Sequence, residues 1–221
     1  MIDTALALLA PHYCSGCGKI GTVLCDNCKY DIVTEQITIC IVCKKPAGIR
    51  GICAICHPSY DQAWTLGKRE DTLEAVINLY KFERVKAAYR PLADMLNSAL
   101  PVLPLETRIL AIPTVPSHIR ERGYDHSLLL ARQFARLRGL ALSKALRRAS
   151  STTQRGASMI TRKQQAAQAF TVSGNLDRDI PYLLIDDIVT TGATLEYAAR
   201  ALKAAGATKV WVATIAYQTL D

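Results

Sequence analysis

Aromatic residues are scarce: three Phe, two Trp and nine Tyr make up 6% of 221 residues, and no stretch interleaves them with basic residues. Grooves that stack the bases of a single strand combine both features, so the composition lends such a groove little support. Acidic residues are also short, 19 against 27 Lys and Arg, for a net charge of +8. That excess suits a polyanionic partner, and equally a merely basic surface. No apolar run approaches the roughly 20 residues that span a bilayer. Residues 1–10 (MIDTALALLA) come nearest, but Asp3 interrupts them and no basic segment precedes them. They read as a short amphipathic helix packed on the cysteine-rich segment, and the chain as a soluble, cytoplasmic protein without membrane insertion. Cysteine is absent after Cys56. Half the residues are hydrophobic, enough for a folded core.

The eight cysteines form four C-x2-C pairs: Cys14/Cys17, Cys25/Cys28, Cys40/Cys43 and Cys53/Cys56. One such turn aims two thiolates at a tetrahedral metal, and two turns complete a four-cysteine site, so eight ligands predict two zinc ions per chain. Four pairs exceed what a redox protein needs, and nothing in the sequence signals secretion, which disfavours disulfides; spacing alone leaves iron–sulfur ligation open. Sequential pairing closes the shorter loops, while an interleaved cross-brace remains an alternative. His57 follows a full cysteine set and reads as a bystander. A module this small takes its stability from the metal.

Residues 182–194, YLLIDDIVTTGAT, carry the chemistry. Tyr182 to Ile185 read as a strand buried on both faces, with Asp186 and Asp187 where it should end. A helix is expected from about Leu195, with Leu195, Ala198, Ala199, Leu202 and Ala205 on one face and a stop at Gly206, followed by a strand over 209–216. In such β-loop-α-β units, ligands bind at the carboxyl ends of the strands. The segment Ile188, Val189, Thr190, Thr191, Gly192, Ala193, Thr194 joins hydroxyls to a helix N-terminus and a glycine that admits close approach, all suited to phosphate. It lacks the lysine of a G-x-x-x-x-G-K-[ST] loop, which favours a monophosphate. Two acids beside a phosphate do not bind it; they accept from sugar hydroxyls or face a divalent cation. Phosphate at one end and hydroxyls at the other describe a ribose 5-phosphate.

The remaining segments frame that loop. Residues 59–70 read as a linker with an exposed strand, then Asp71 as the N-cap of a helix bearing Leu73, Val76, Ile77 and Tyr80. A second helix is expected over 85–100, broken or kinked near Pro91, and Lys81, Arg84, Lys86 and Arg90 read as a solvated face. A strand over 107–112 precedes a turn with Arg120 and Arg122, placed to clamp a pyrophosphate. A helix carrying Leu128, Leu129, Ala131, Phe134, Ala135 and Leu137 follows. Residues 147–168, polar and basic, read as a flexible lid, and 170–172 as an edge strand. The expected organisation is a module over 1–58, connecting strand and helices over 59–104, and an α/β domain over 105–221 with a parallel sheet flanked by helices.

LLIDDIVTTGAT is similar to the phosphoribosyl-pyrophosphate (PRPP) signature of type I phosphoribosyltransferases. With the four C-x2-C pairs, RERGYDHSLLLAR (120–132) and residues 146–170, the whole chain resembles the ComF family, which joins a zinc module to a phosphoribosyltransferase-type domain and is associated with natural competence. The resemblance implies PRPP with Mg2+ as ligand, Asp186 and Asp187 on its ribose hydroxyls, residues 190–194 around its 5-phosphate, and Arg120 with Arg122 toward pyrophosphate. It implies a role in DNA uptake, as a phosphoribosyltransferase of unnamed acceptor or as a non-enzymatic binder of single-stranded DNA or of a helicase or other uptake component, with PRPP as regulator. Tyr124-Asp125-His126 replaces a Phe-Asn-Gln usual in the family and sets an acid beside the expected pyrophosphate site.

Overall fold

The computed structural model describes residues 11–34, 38–149 and 169–219. Its frame is a five-stranded, all-parallel sheet in the order β1-β7-β6-β2-β3, where β1 is Gln62–Lys68, β2 Arg108–Ala111, β3 Ala141–Leu142, β6 Pro181–Val189 and β7 Lys209–Tyr217. The central strands β6 and β7 read as near-continuous apolar runs because both of their faces are covered. On one face, α2 (Asp71–Lys81), α3 (Tyr89–Ala99) and α5 (His126–Arg138) bury Ile77, Leu92, Leu96 and Phe134 against Leu183, Ile185 and Ile215. On the other, α6 (Ala193–Ala204) buries Leu195, Ala198, Ala199 and Leu202 against Leu184, Val210 and Val212. The short β4 (Leu146–Arg148) and β5 (Phe170–Val172) pair antiparallel as a separate ribbon. Arg148 ties it to the main sheet by donating to the Pro113 carbonyl, 3.3 Å.

The two cysteine clusters lie against opposite faces. Cys14, Val23, Leu24 and Cys25, with α1 (Asp26–Thr34), join the core under α3, whereas Ile41 and Tyr60 join the core under α6. The second cluster docks backbone to backbone on β1. The Ala63 N–H donates to the Arg50 carbonyl at 2.8 Å, and Gly51 (φ +65°) sits so close that a methyl carbon there would lie 2.0 Å from the Ala63 carbonyl oxygen. Only a residue without a side chain permits that approach.

Several expectations are corrected. The strand expected within 59–70 is present over 62–68, but it is the edge strand of the main sheet, with Ala63 and Leu66 buried on alternate faces. Asp71 does not cap α2; the N-cap is Glu70, without a side-chain hydrogen bond. Pro91 kinks nothing. A 3-10 turn over Lys86–Ala88 precedes α3, which starts at Tyr89, so Pro91 falls in the first turn, where a missing N–H is harmless. Asp186 and Asp187 lie inside β6, which runs on to Val189 in register with Tyr217. The helix expected over 1–10 and most of the lid, 150–168, lie outside the described residues; Arg147 and Arg148 belong to β4.

Candidate sugar-phosphate site

Asp187 is 2% exposed and is held from three elements. Lys81 Nζ, at the end of α2, lies 3.0 Å from Oδ1, which also accepts the Ile188 N–H at 2.6 Å. His126 Nε2, at the start of α5, lies 3.0 Å from Oδ2. Arg122 fixes the histidine tautomer. Its guanidinium only donates and lies 2.8 Å from His126 Nδ1, so Nδ1 accepts and the ring proton sits on Nε2, facing Asp187. That approach is short but poorly aligned, and Oδ2 is left buried without a well-formed hydrogen bond. Asp186 Oδ1 accepts from Ser127 Oγ and from the Asp187 N–H, both at 3.0 Å. Burial and the neighbouring Asp187 charge push the Asp186 carboxyl up to about 7. For Asp187, burial acts in the same direction, but His126 and Lys81 more than offset it and hold the carboxyl well below its ordinary range.

The residues around this cluster have structural reasons to be there. Tyr124 stacks on Tyr80 at 5.6 Å, and Tyr80 Oη donates to the His126 carbonyl at 2.7 Å. Asp125 is the N-cap of α5, accepting from the Leu128 N–H at 3.1 Å and from Thr114 Oγ1 at 2.8 Å. The acid that looked misplaced beside a pyrophosphate is thus a helix cap. Arg122 and Arg120 both stand on α4 (Pro116–Arg122); Arg122 turns in to His126, and Arg120 is exposed.

At the end of β6 the chain turns through 190–192 into α6. Thr190, Thr191, Ala193 and Thr194 are exposed, whereas Gly192 (φ +77°) is buried beneath the second cysteine cluster. A methyl carbon on Gly192 would lie 3.6 Å from the Ile41 carbonyl oxygen and 3.7 Å from Val42 Cγ2. Lys44, of the same knuckle, donates from Nζ to that Ile41 carbonyl and lies 5.7 Å from the Tyr217 ring centroid. The phosphate-type loop therefore has one open side and one side walled by the Cys40–Cys43 turn.

The eight cysteines are free thiols in sequential sets, Cys14/Cys17/Cys25/Cys28 and Cys40/Cys43/Cys53/Cys56, with ligand atoms within 4.8 Å of one another; His57 is in neither. Sγ–Sγ distances of 3.6 Å (Cys17–Cys25) and 3.7 Å (Cys43–Cys53) match the roughly 3.8 Å edge of a tetrahedron with Zn–S near 2.3 Å. Each set could hold one zinc ion. Burial opposes ionisation of Cys14, yet the backbone N–H groups of Cys17, Cys25 and Gly16 bring it down to about 6. Burial and the three neighbouring thiols push Cys28 up to about 12. Four clustered thiols cannot all ionise unaided, and a divalent cation removes that obstacle.

With this geometry in place, the relatives of the chain can be compared. Residues 129–219, from within α5 through β7, match the phosphoribosyl transferase domain family. Competence protein F of Haemophilus influenzae is 26% identical over 216 residues, covering 85% of this chain and 94% of the relative. The similarity to competence protein F thus runs over most of the length of both chains. DNA utilization protein YhgH of Salmonella typhi is 27% identical over 201 residues, covering 86% of this chain and 88% of its own. Among solved structures, the allosteric regulatory enzyme of purine biosynthesis aligns with TM-score 0.42 at 20% identity, over 57% of this chain and only 25% of that chain. Glutamine PRPP amidotransferase from B. subtilis aligns with TM-score 0.39 over the same shares. Among the described residues, no helix is long and apolar enough to cross a membrane.

The sequence points to the two acids, the 190–194 loop and both arginines, with His126 of unassigned role; Lys81, Ser127 and the Ile41–Val42 wall join them only in the fold. Lys81 is no solvated residue: its side chain is 15% exposed and ion-paired. The signal was present, since 73, 77 and 81 fall on one helical stripe, as do 126, 130 and 134. The stripe expected for α5 was rotated. Leu137 is 40% exposed, whereas His126, Ser127 and Leu130 are buried.

Proposed function

We propose that this protein binds PRPP at the carboxyl end of β6 and acts in DNA uptake, a reading supported by relatives named for competence and for DNA utilization. The reading rests on one observation above others: an acid pair, Asp186 half-buried and Asp187 buried, stands next to an open Thr/Gly turn at the start of a helix of twelve residues. The 5-phosphate takes the N–H groups and hydroxyls of Thr190, Thr191 and Thr194. The ribose hydroxyls donate to Asp186 and Asp187.

The donor set also fits a magnesium ion arriving with PRPP. His126, Asp186 and Asp187 offer ligand atoms within 4.8 Å of one another, but Lys81 already neutralises part of that charge. Asp186 is therefore the protein group that would meet the cation, directly or through water, with the remaining oxygens coming from the ligand. When bound, the ion screens the pyrophosphate charge. The chain's own groups orient the sugar and wall one side of the phosphate loop. For transfer of the phosphoribosyl group, such positioning and charge complementarity supply the rate acceleration.

Incubating the full, zinc-loaded chain with labelled PRPP, with and without single-stranded DNA, tests the reading. Retention of PRPP that depends on Mg2+, and that maps to amide shifts in 190–194, is expected. Retention unaffected by Asp186→Asn together with Asp187→Asn would refute it. DNA binding that weakens steeply with salt identifies direct contact with the +8 chain; salt-insensitive association identifies docking through a protein.

A further inference from the structure

We propose that Lys81 is a positioning residue of this site: from the end of α2 it holds the Asp187 carboxylate where the hydroxyls of a bound sugar phosphate would meet it. The inference rests on the ribose-phosphate reading above and extends it to a helix outside the matched residues 129–219.

Lys81 and Asp187 are 106 residues apart in sequence, and their side chains are only 15% and 3% exposed. A lysine is seldom buried this far without a purpose, because moving the pair out of water costs as much as the attraction returns. Stability alone would be served as well by two apolar side chains. A purely structural pair would also fill both carboxylate oxygens. Here Lys81 and the Ile188 N–H share Oδ1, whereas Oδ2 faces His126 at 3.0 Å without a well-formed hydrogen bond. The lysine thus balances the charge and fixes the rotamer from one side, while the second oxygen, itself buried, faces His126. Arg122 completes the arrangement by orienting His126 from behind, 2.8 Å from Nδ1. Asp187 is held by α2, by α5 and by its own strand.

The test compares Lys81→Met and Lys81→Arg with wild type in the full zinc-loaded chain, each checked for folding by circular dichroism. Calorimetry with PRPP and Mg2+ reads the sugar site, and amide shifts of 190–194 on titration with inorganic phosphate read the loop. K81M is expected to lose about tenfold or more in PRPP affinity while the phosphate shifts persist, and K81R to recover most of that loss. Equal PRPP affinity in K81M and wild type, to within about twofold, would overturn the assignment. So would joint loss of PRPP and phosphate binding in a folded K81M, or K81R binding no better than K81M. Should K81M not fold, the K81M/D187N double variant removes both charges, and wild-type affinity in it overturns the assignment. Absence of PRPP binding in the wild type would instead overturn the ribose-phosphate reading, and this assignment with it.

Discussion

Replacing Gly51 by alanine tests how the second cysteine cluster is docked. Two effects operate. Gly51 adopts φ +65°, which costs an L-residue about 1–2 kcal/mol. The new methyl would also lie 2.0 Å from the Ala63 carbonyl oxygen, and since backbone cannot swing away as a side chain can, the loop must lift off β1. Lifting breaks the 2.8 Å hydrogen bond from Ala63 to Arg50, a further loss of about 1 kcal/mol. The sum is about 2–3 kcal/mol, or roughly 4–12 °C in Tm for a chain of this size. Gly192→Ala is the internal control. It has the same left-handed backbone (φ +77°), but the nearest atom to its methyl is 3.6 Å away, an ordinary contact. Only the strain of about 1–2 kcal/mol applies there. Thermal unfolding followed by circular dichroism in zinc-containing buffer reads both variants. A G51A shift no larger than that of G192A would refute the claim that the cluster is seated backbone to backbone on β1.

Other predictions follow from the same contacts. Elemental analysis should find about two zinc ions per chain, and their removal should lower Tm and weaken PRPP binding, because the Cys40–Cys43 turn walls Gly192; unchanged binding in metal-free, folded protein would contradict that coupling. Phe134→Ala empties a wholly buried position on the inner face of α5 and should cost about 3–5 kcal/mol in denaturant unfolding. Glu196 gives a pH signature. Burial disfavours its charge, but hydrogen bonds from Ser59 (2.8 and 2.7 Å) and Arg200 (2.7 Å) outweigh it and depress its pKa below 4.5. A depressed folded-state pKa stabilises above the unfolded value and loses that stability as pH falls through the folded one. The stability gap between wild type and Glu196→Gln should therefore be constant above about pH 6 and shrink on acidification; a gap that widens in acid would contradict the assignment.

The strongly patterned parts of the fold were legible in the sequence. The apolar run of β6 and the small-residue face of α6 each have one economical solution, and of the two pairings the C-x2-C spacings allow, the structure has the sequential one. Failures came where tertiary pairing overrides local pattern. Residues 62–68 look exposed because Gln62 and Lys68 sit at the ends of the strand, yet β7 recruits it as the sheet edge. The acid pair seemed to end β6 because adjacent carboxylates oppose burial, and they are tolerated inside the strand only because α2 and α5 deliver Lys81 and His126 to them. That compensation lies 106 and 61 residues upstream of Asp187, beyond any local window. Likewise, nothing around Gly192 announces that Ile41 will cover it. The loop residues were readable one by one; the wall and the charge balance of the site were not.

The most direct test of the central claim is calorimetric titration of the full chain with PRPP in the presence of Mg2+, alongside the Asp186→Asn variant. The account predicts saturable binding at one site per chain for the wild type and a loss of about tenfold or more in the folded variant. Equal binding by the two proteins, or none by the wild type, would contradict it.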